Sequence, residues 1–190
     1  MQTDSSGIMA RKLLYLAKWN YDMKSFIWKG IVYDSIEHLQ VSEGQGTHNV
    51  HSTINRSFQG KNYNVRYRAE ISKDWMVMNF QIAFEVNDRV QEITGVREAD
   101  DWNINGEPDP RFANFRFIDI SLSPFTNTLP VNNLTMLVGQ EQEIVVIYID
   151  ILNDEITPVV QRYCRLSETT FRYENVSDDF SADIQVDEDG

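Results

Sequence analysis

Apolar side chains recur along this chain with a period of two, the spacing of a strand that buries one face and wets the other. Tyr63, Val65, Tyr67, Ala69 and Ile71 fall on one face, with Asn64, Arg66, Arg68 and Glu70 between them. The next run repeats the alternation, with Met76, Met78, Phe80, Ile82 and Phe84 set against Val77, Asn79, Gln81 and Ala83. Lys73-Asp74 separates the two runs, so the pair reads as an antiparallel hairpin. Residues 144–152 are β-branched and almost continuously apolar, which predicts a strand covered on both faces. Shorter strands are expected at 161–166, 170–175 and 180–186, the last with Phe180, Ala182, Ile184 and Val186 inward. Gly30, Gly44, Gly46, Gly60, Gly95, Gly106 and Gly139 punctuate the chain at intervals that suit a meander. The pattern predicts an all-β, mainly antiparallel single domain over residues 1–190, with 1–8 as a loose polar end.

One segment breaks the period. A strand with Phe117, Asp119 and Ser121 on one side and Ile118, Ile120 and Leu122 on the other runs into Ser123-Pro124. Serine is a good helix cap and proline is tolerated at the first helical position. Pro130 would interrupt a regular helix unless the helix begins near Thr128. A short helix or helical turns are therefore expected within 124–134, anchored by Phe125, Leu129, Val131 and Leu134. Thr126-Asn127-Thr128 lies between Phe125 and Leu129, and polar groups held between large apolar neighbours have two readings. They suit a pocket for a partly oily, partly hydrogen-bonding molecule, or a capped turn that closes a core.

Charge narrows the partners. The 190 residues carry 17 basic and 29 acidic side chains, a net charge of −12. Such a field repels phosphate backbones and anionic membrane surfaces, so neither nucleic acid nor a membrane surface is expected as a partner. Cys164 is the only cysteine, which excludes an intramolecular disulfide and a thiolate cluster; it reads as a buried, inert thiol. No run approaches the ~18 apolar residues of a membrane span, and Leu13-Leu14-Tyr15-Leu16-Ala17 is too short for a signal-peptide core. The expectation is a cytoplasmic protein without stable membrane insertion, in which the sequons at Asn55, Asn133 and Asn175 carry no weight.

Candidate chemistry is sparse. His48 and His51 would approach each other only on a helix, whereas this region reads as loop and strand, so both are taken as surface histidines. Glu37 and His38 are consecutive in a strand and point to opposite faces. Asp119 lies among apolar strand neighbours and could meet Glu70 inside a rolled sheet, pair with Arg162, or cap backbone N–H groups. Trp75 reads as core, and Trp102, between Asp100-Asp101 and Asn105-Gly106, as the rim of a cavity. No phosphate loop, nucleophile elbow or metal-ligand spacing occurs, and no cofactor or metal is expected.

Several landmarks together resemble one family. They are Ile36-Glu37-His38-Leu39, the Tyr67-to-Trp75 strand pair, Trp102-Asn103-Ile104-Asn105-Gly106, the block from Asp119 through Ser123-Pro124-Phe125-Thr126-Asn127-Thr128-Leu129-Pro130, Gln161-Arg162-Tyr163, and Phe180 to Gly190. Over Trp28 to Gly190 the chain is similar to the bacterial glycolipid-binding family, formerly a domain of unknown function. The resemblance implies a spiral β-roll, a long antiparallel sheet wound around a single short helix, and a homodimer. It also implies a non-catalytic role, holding a lipid or glycolipid in the rolled sheet. Tyr67, Trp102 and Phe125 would then offer apolar or stacking surface, while Asp119, Thr126, Asn127, Thr128 and Arg162 would fix polar groups. An alternative is a hydrolase acting on a sugar or ester through carboxylates such as Asp119, and a third is a structural dimer whose roll is filled by side chains. Two departures stand out: Asn132 and Asn133 replace basic residues common after the Leu-Pro block, and the chain stops at Gly190 where relatives usually continue with another strand.

Overall fold

Strand by strand, the two-residue period becomes a meander. The computed structural model describes residues 23–30, 34–58, 60–86, 89–177 and 180–187; the expectations for 1–8 and for the apolar run at 13–17 lie outside them. The first eight strands are β1 (Met23–Gly30), β2 (Ser35–Glu43), β3 (Thr47–Phe58), β4 (Lys61–Ser72), β5 (Val77–Val86), β6 (Arg89–Glu98), β7 (Asp101–Ile104) and β8 (Glu107–Pro108). Each pairs with its sequence neighbour in one antiparallel sheet. Asn105-Gly106 joins β7 to β8 with both residues at positive φ, as a two-residue hairpin turn requires.

A second sheet has the order β13-β12-β11-β10-β9, with β9 (Phe117–Ile120), β10 (Glu141–Asp150), β11 (Glu155–Arg165), β12 (Thr170–Asn175) and β13 (Phe180–Gln185). Here β9 and β10 run parallel, and a parallel pair needs a crossover in place of a hairpin. That crossover carries a 3₁₀ turn, Pro124–Asn127, and the one α-helix among the described residues, α1 (Thr128–Asn133). The fold is all-β, and the sheets do not close into a barrel: β1 ends one sheet and β13 the other. Their inner faces share one apolar cluster, with Leu39, Ile54, Val65 and Ile82 from the first sheet and Phe117, Ile120, Ile147 and Ile149 from the second.

Helix α1 begins at Thr128 with Pro130 in its first turn, where a missing N–H costs nothing. Phe125, Leu129 and Val131 are buried as expected, and Leu134 is half-buried. Other expectations need correction. Glu70 pairs with Asn79 but Ile71 with Val77, so Met78 is a bulged residue. The bulge turns Val77 into the core and leaves Met78 41% exposed, contrary to the simple alternation. In β10 only Val146, Ile147 and Ile149 are buried, so two-sided cover is limited to the strand's centre. Phe180 is exposed, its ring resting edge-on against Tyr173 at the sheet's edge. Cys164 is half-buried on β11.

Gly95 is not a turn. It sits inside β6 opposite Phe80, whose ring occupies the space a Cβ would fill, and Phe80 in turn packs on Trp102 with ring centroids 5.7 Å apart. The Gly95→Ala protein should be less stable than wild type by about 1–3 kcal/mol. Urea denaturation reads this directly, and an unchanged midpoint would show that the Phe80 ring can give way.

Candidate functional site

A cleft of about 300 Å³ opens where the two unclosed sheets approach each other. One wall comes from alternating inward residues of β1 to β3. Phe26 pairs with Leu39 and Lys24 with Val41 across the β1–β2 ladder, and Glu43 pairs with His48 across β2–β3. Phe26 and Trp28 stack nearly parallel along β1, with centroids 5.7 Å apart at 14°. The facing wall is Pro124, Phe125, Asn127 and Thr128 from the crossover, with Ile184 to Asp187 at the end of β13. The cleft is therefore apolar and aromatic in its body and polar at its rim.

Trp75 closes one end. It lies in the β4–β5 turn, where its N–H donates to Ser72 O at 2.9 Å, and it adopts φ +60, a left-handed conformation rare for so bulky a side chain. Asn133 at the end of α1 donates from Nδ2 to Asp74 O at 2.6 Å, tying the helix to this turn. The result places the Trp75 indole on the His48 ring, with centroids 4.4 Å apart at 21°. His48 Nδ1 in turn donates to Glu43 Oε1 at 2.8 Å. The expectation of a core Trp75 and a surface His48 is corrected: both are half-buried and line the cleft. His51 is exposed on the opposite face of β3.

The crossover turn is pinned by side chains from both sheets. Ser123 bears no side-chain cap; its Oγ donates instead to Glu37 Oε1 at 2.9 Å. Ser52 Oγ and Tyr67 O–H donate to the same oxygen at 2.6 and 2.8 Å. Thr126 Oγ1 donates to Asp119 Oδ1 at 2.9 Å, and Gln161 Nε2 to Asp119 Oδ2 at 2.6 Å. Tyr163 O–H donates to Asn127 Oδ1 at 2.7 Å. Burial pushes the Glu37 carboxyl above the usual carboxylate range, against the three hydroxyls that pull it down. Burial likewise raises Asp119, opposed by Thr126 and Gln161. Tyr67 is held protonated by burial and by the Glu37 charge.

Of the residues singled out from the sequence, Phe125, Asn127 and Thr128 line the cleft together. Tyr67, Asp119 and Thr126 lie behind its wall in the pinning network. Trp102 is 1% exposed in the core, its Nε1 donating to Phe115 O at 2.9 Å, so it forms no rim. Arg162 is turned to Glu143 and Glu174, at 2.6 and 3.1 Å, and makes no ion pair with Asp119. Glu70 accepts from Asn79 Nδ2 at 2.8 Å, across the ladder from β5. The sequence reading missed Phe26, Trp28, Trp75 and His48 as cleft residues and Glu37 as the buried acid. Alternation on β1 could have flagged Phe26 and Trp28; nothing local signals the turn that aims Trp75. Among the described residues no cluster of histidine, cysteine and carboxylates is placed to hold a metal, and no helix is long and apolar enough to cross a membrane.

Two unclosed sheets joined by a pinned crossover define an all-β class of protein. The family described as "Putative glycolipid-binding" matches residues 25–190, and the chain belongs to that family. It is similar to a DUF1089 family protein from Pseudomonas aeruginosa known from a crystal structure, at 28% identity and TM-score 0.73 over 86% of this chain and 91% of that one. No curated protein matches the chain.

Because Glu37 binds its proton more tightly in the folded than in the unfolded chain, folding stability falls as pH rises from the ordinary glutamate range through the elevated folded value. Glu37→Gln carries no such proton. The difference in unfolding free energy between wild type and Glu37→Gln should therefore move in favour of wild type on acidification through that window. Urea titrations at a series of pH values measure it; a pH-independent difference would mean that burial does not perturb Glu37.

Proposed function

We propose that the protein binds one amphipathic molecule, a lipid or glycolipid, in the cleft between the β1 and β13 edges. The observation that carries this reading is the pairing of an aromatic interior, Phe26, Trp28, Trp75 and Phe125, with a rim of Lys24, Glu43, Asn127, Thr128 and Asp187. Aromatic faces serve both sugar rings and acyl chains, and a polar rim fixes a headgroup. The volume is at the low end of the ~300–1,000 Å³ usual for small-molecule sites. It suits one sugar ring or a short stretch of chain, with the remainder lying along the seam. Membership of a family described as glycolipid-binding supports the same ligand class.

The left-handed backbone at Trp75 adds weight, since strain of about 1–2 kcal/mol at a non-glycine residue persists where the surroundings enforce it and often where function uses it. The alternative, a hydrolase working through Asp119, gains no support from the geometry: both Asp119 oxygens are taken by Thr126 and Gln161. Asp119→Asn should cost about 1–2 kcal/mol of stability by setting an amide against Gln161, while leaving ligand affinity within twofold.

Titration with octyl β-glucoside below its micelle concentration, read by tryptophan emission, tests the site because Trp28 and Trp75 line it. Saturable one-to-one binding is expected. Trp75→Gly relieves the backbone while removing the stack, so stability should stay within about 1 kcal/mol of wild type as affinity drops about three- to tenfold. Undiminished affinity in Trp75→Gly, or no saturable response in wild type, would count against the cleft.

A further inference from the structure

Among the described residues, Glu37 is the one buried carboxylate on the first sheet's inner face, 2% exposed, and its two oxygens are treated very differently. Oε1 receives all three hydroxyls, from Ser52, Tyr67 and Ser123. Oε2 is fully buried and has no hydrogen-bond partner among the described residues. Leaving such an atom unmatched is costly, whichever form the acid takes. Ionised, Oε2 is a bare acceptor in need of a donor. Protonated, it becomes a donor in need of an acceptor, because Oε1 is already saturated with O–H groups. A hydroxyl serves both states, since it donates and accepts.

The position of Glu37 says where that hydroxyl would come from. Its cross-strand partner on β1 is Trp28, and its same-face neighbour on β2 is Leu39; both line the cleft. Ser123, which it binds, immediately precedes Pro124 and Phe125 of the facing wall. The acid thus stands behind the cleft, beside an indole on a strand that, among the described residues, pairs with β2 alone. An edge strand gives way more readily than a central one.

We propose that Glu37 is a ligand-binding residue: a hydroxyl of a sugar or polyol headgroup passes Trp28 and hydrogen-bonds Oε2, making the cleft selective for hydroxyl-bearing amphiphiles. This rests on the cleft being the binding site. The ligand enters headgroup first, and its chain remains among Phe26, Trp75 and Phe125. Ser52, Tyr67 and Ser123 act as positioning residues that hold the carboxylate with Oε2 unengaged.

The test compares octyl β-glucoside with its tetra-O-methyl derivative, which keeps the ring and chain but has no hydroxyl. Wild type should prefer the free glucoside about fivefold to tenfold, the size of one added hydrogen bond to a buried group. Glu37→Leu, whose neighbouring hydroxyls can still bond one another through Tyr67 and Ser123, should reduce that preference to less than twofold by weakening the glucoside alone. Equal affinity of wild type for both probes, or a preference that survives in Glu37→Leu, overturns the role of Glu37 while leaving the cleft intact. Failure of both probes to bind wild type overturns the cleft itself. Should Glu37→Leu not fold, a crystal structure of wild type with octyl β-glucoside decides: a sugar oxygen about 3 Å from Oε2 supports the inference, and water alone at Oε2 rejects it.

Discussion

A single carboxylate oxygen, Oε1 of Glu37, holds the crossover against the first sheet. It gathers hydroxyls from β3, from β4 and from Ser123, residues separated by up to 86 positions in the chain. Hydrogen bonds to a charged acceptor contribute about 1.5–3 kcal/mol each, enough to offset much of the cost of burying an acid when several converge. The position of Ser123 then fixes Pro124 and Phe125, and with them the wall that faces β1. Tyr67 O–H and Ser123 Oγ also lie 2.9 Å apart, and Asn133 reaches Asp74 O, so the crossover has further ties to the first sheet beside this one.

The same logic runs along the rest of the turn. Asp119 holds Thr126, and Tyr163 holds Asn127, so alternate demands are met within five residues: some polar groups point back to pin the backbone while Phe125 and Thr128 face the cleft. Within the Ser-Pro-Phe-Thr-Asn-Thr block, Ser123 and Thr126 turn inward to Glu37 and Asp119, while Phe125, Asn127 and Thr128 line the cleft. Asn133 reaches across to Asp74 O and couples helix α1 to the turn that carries Trp75. Each member of such a network contributes to stability, because losing one leaves a buried polar group unmatched.

Period-two alternation made the all-β class and most strands legible, since burial of one face is a local property of the chain. The helix was legible for a similar reason: Ser-Pro, Pro130 and the spacing of Phe125 and Leu129 are local signals. What failed was everything that depends on a partner far away in sequence. The bulge at Met78, the packing of Phe80 into the gap at Gly95 and the burial of Trp102 follow from registers no single strand encodes. Arg162 next to Asp119 was plausible on sequence, yet its cross-strand and ladder neighbours Glu143 and Glu174 lie closer. Glu37 was hidden by its neighbour His38, because alternation marks the acid as inward without saying what meets it there.

The decisive measurement is native mass spectrometry of the protein purified without detergent, with organic extraction and identification of whatever is carried along. One hydroxylated lipid per chain, displaced by octyl β-glucoside, is the expected result. Protein that emerges empty and stays empty after incubation with a broad panel of lipids and glycolipids would contradict a cleft built to receive an amphiphile.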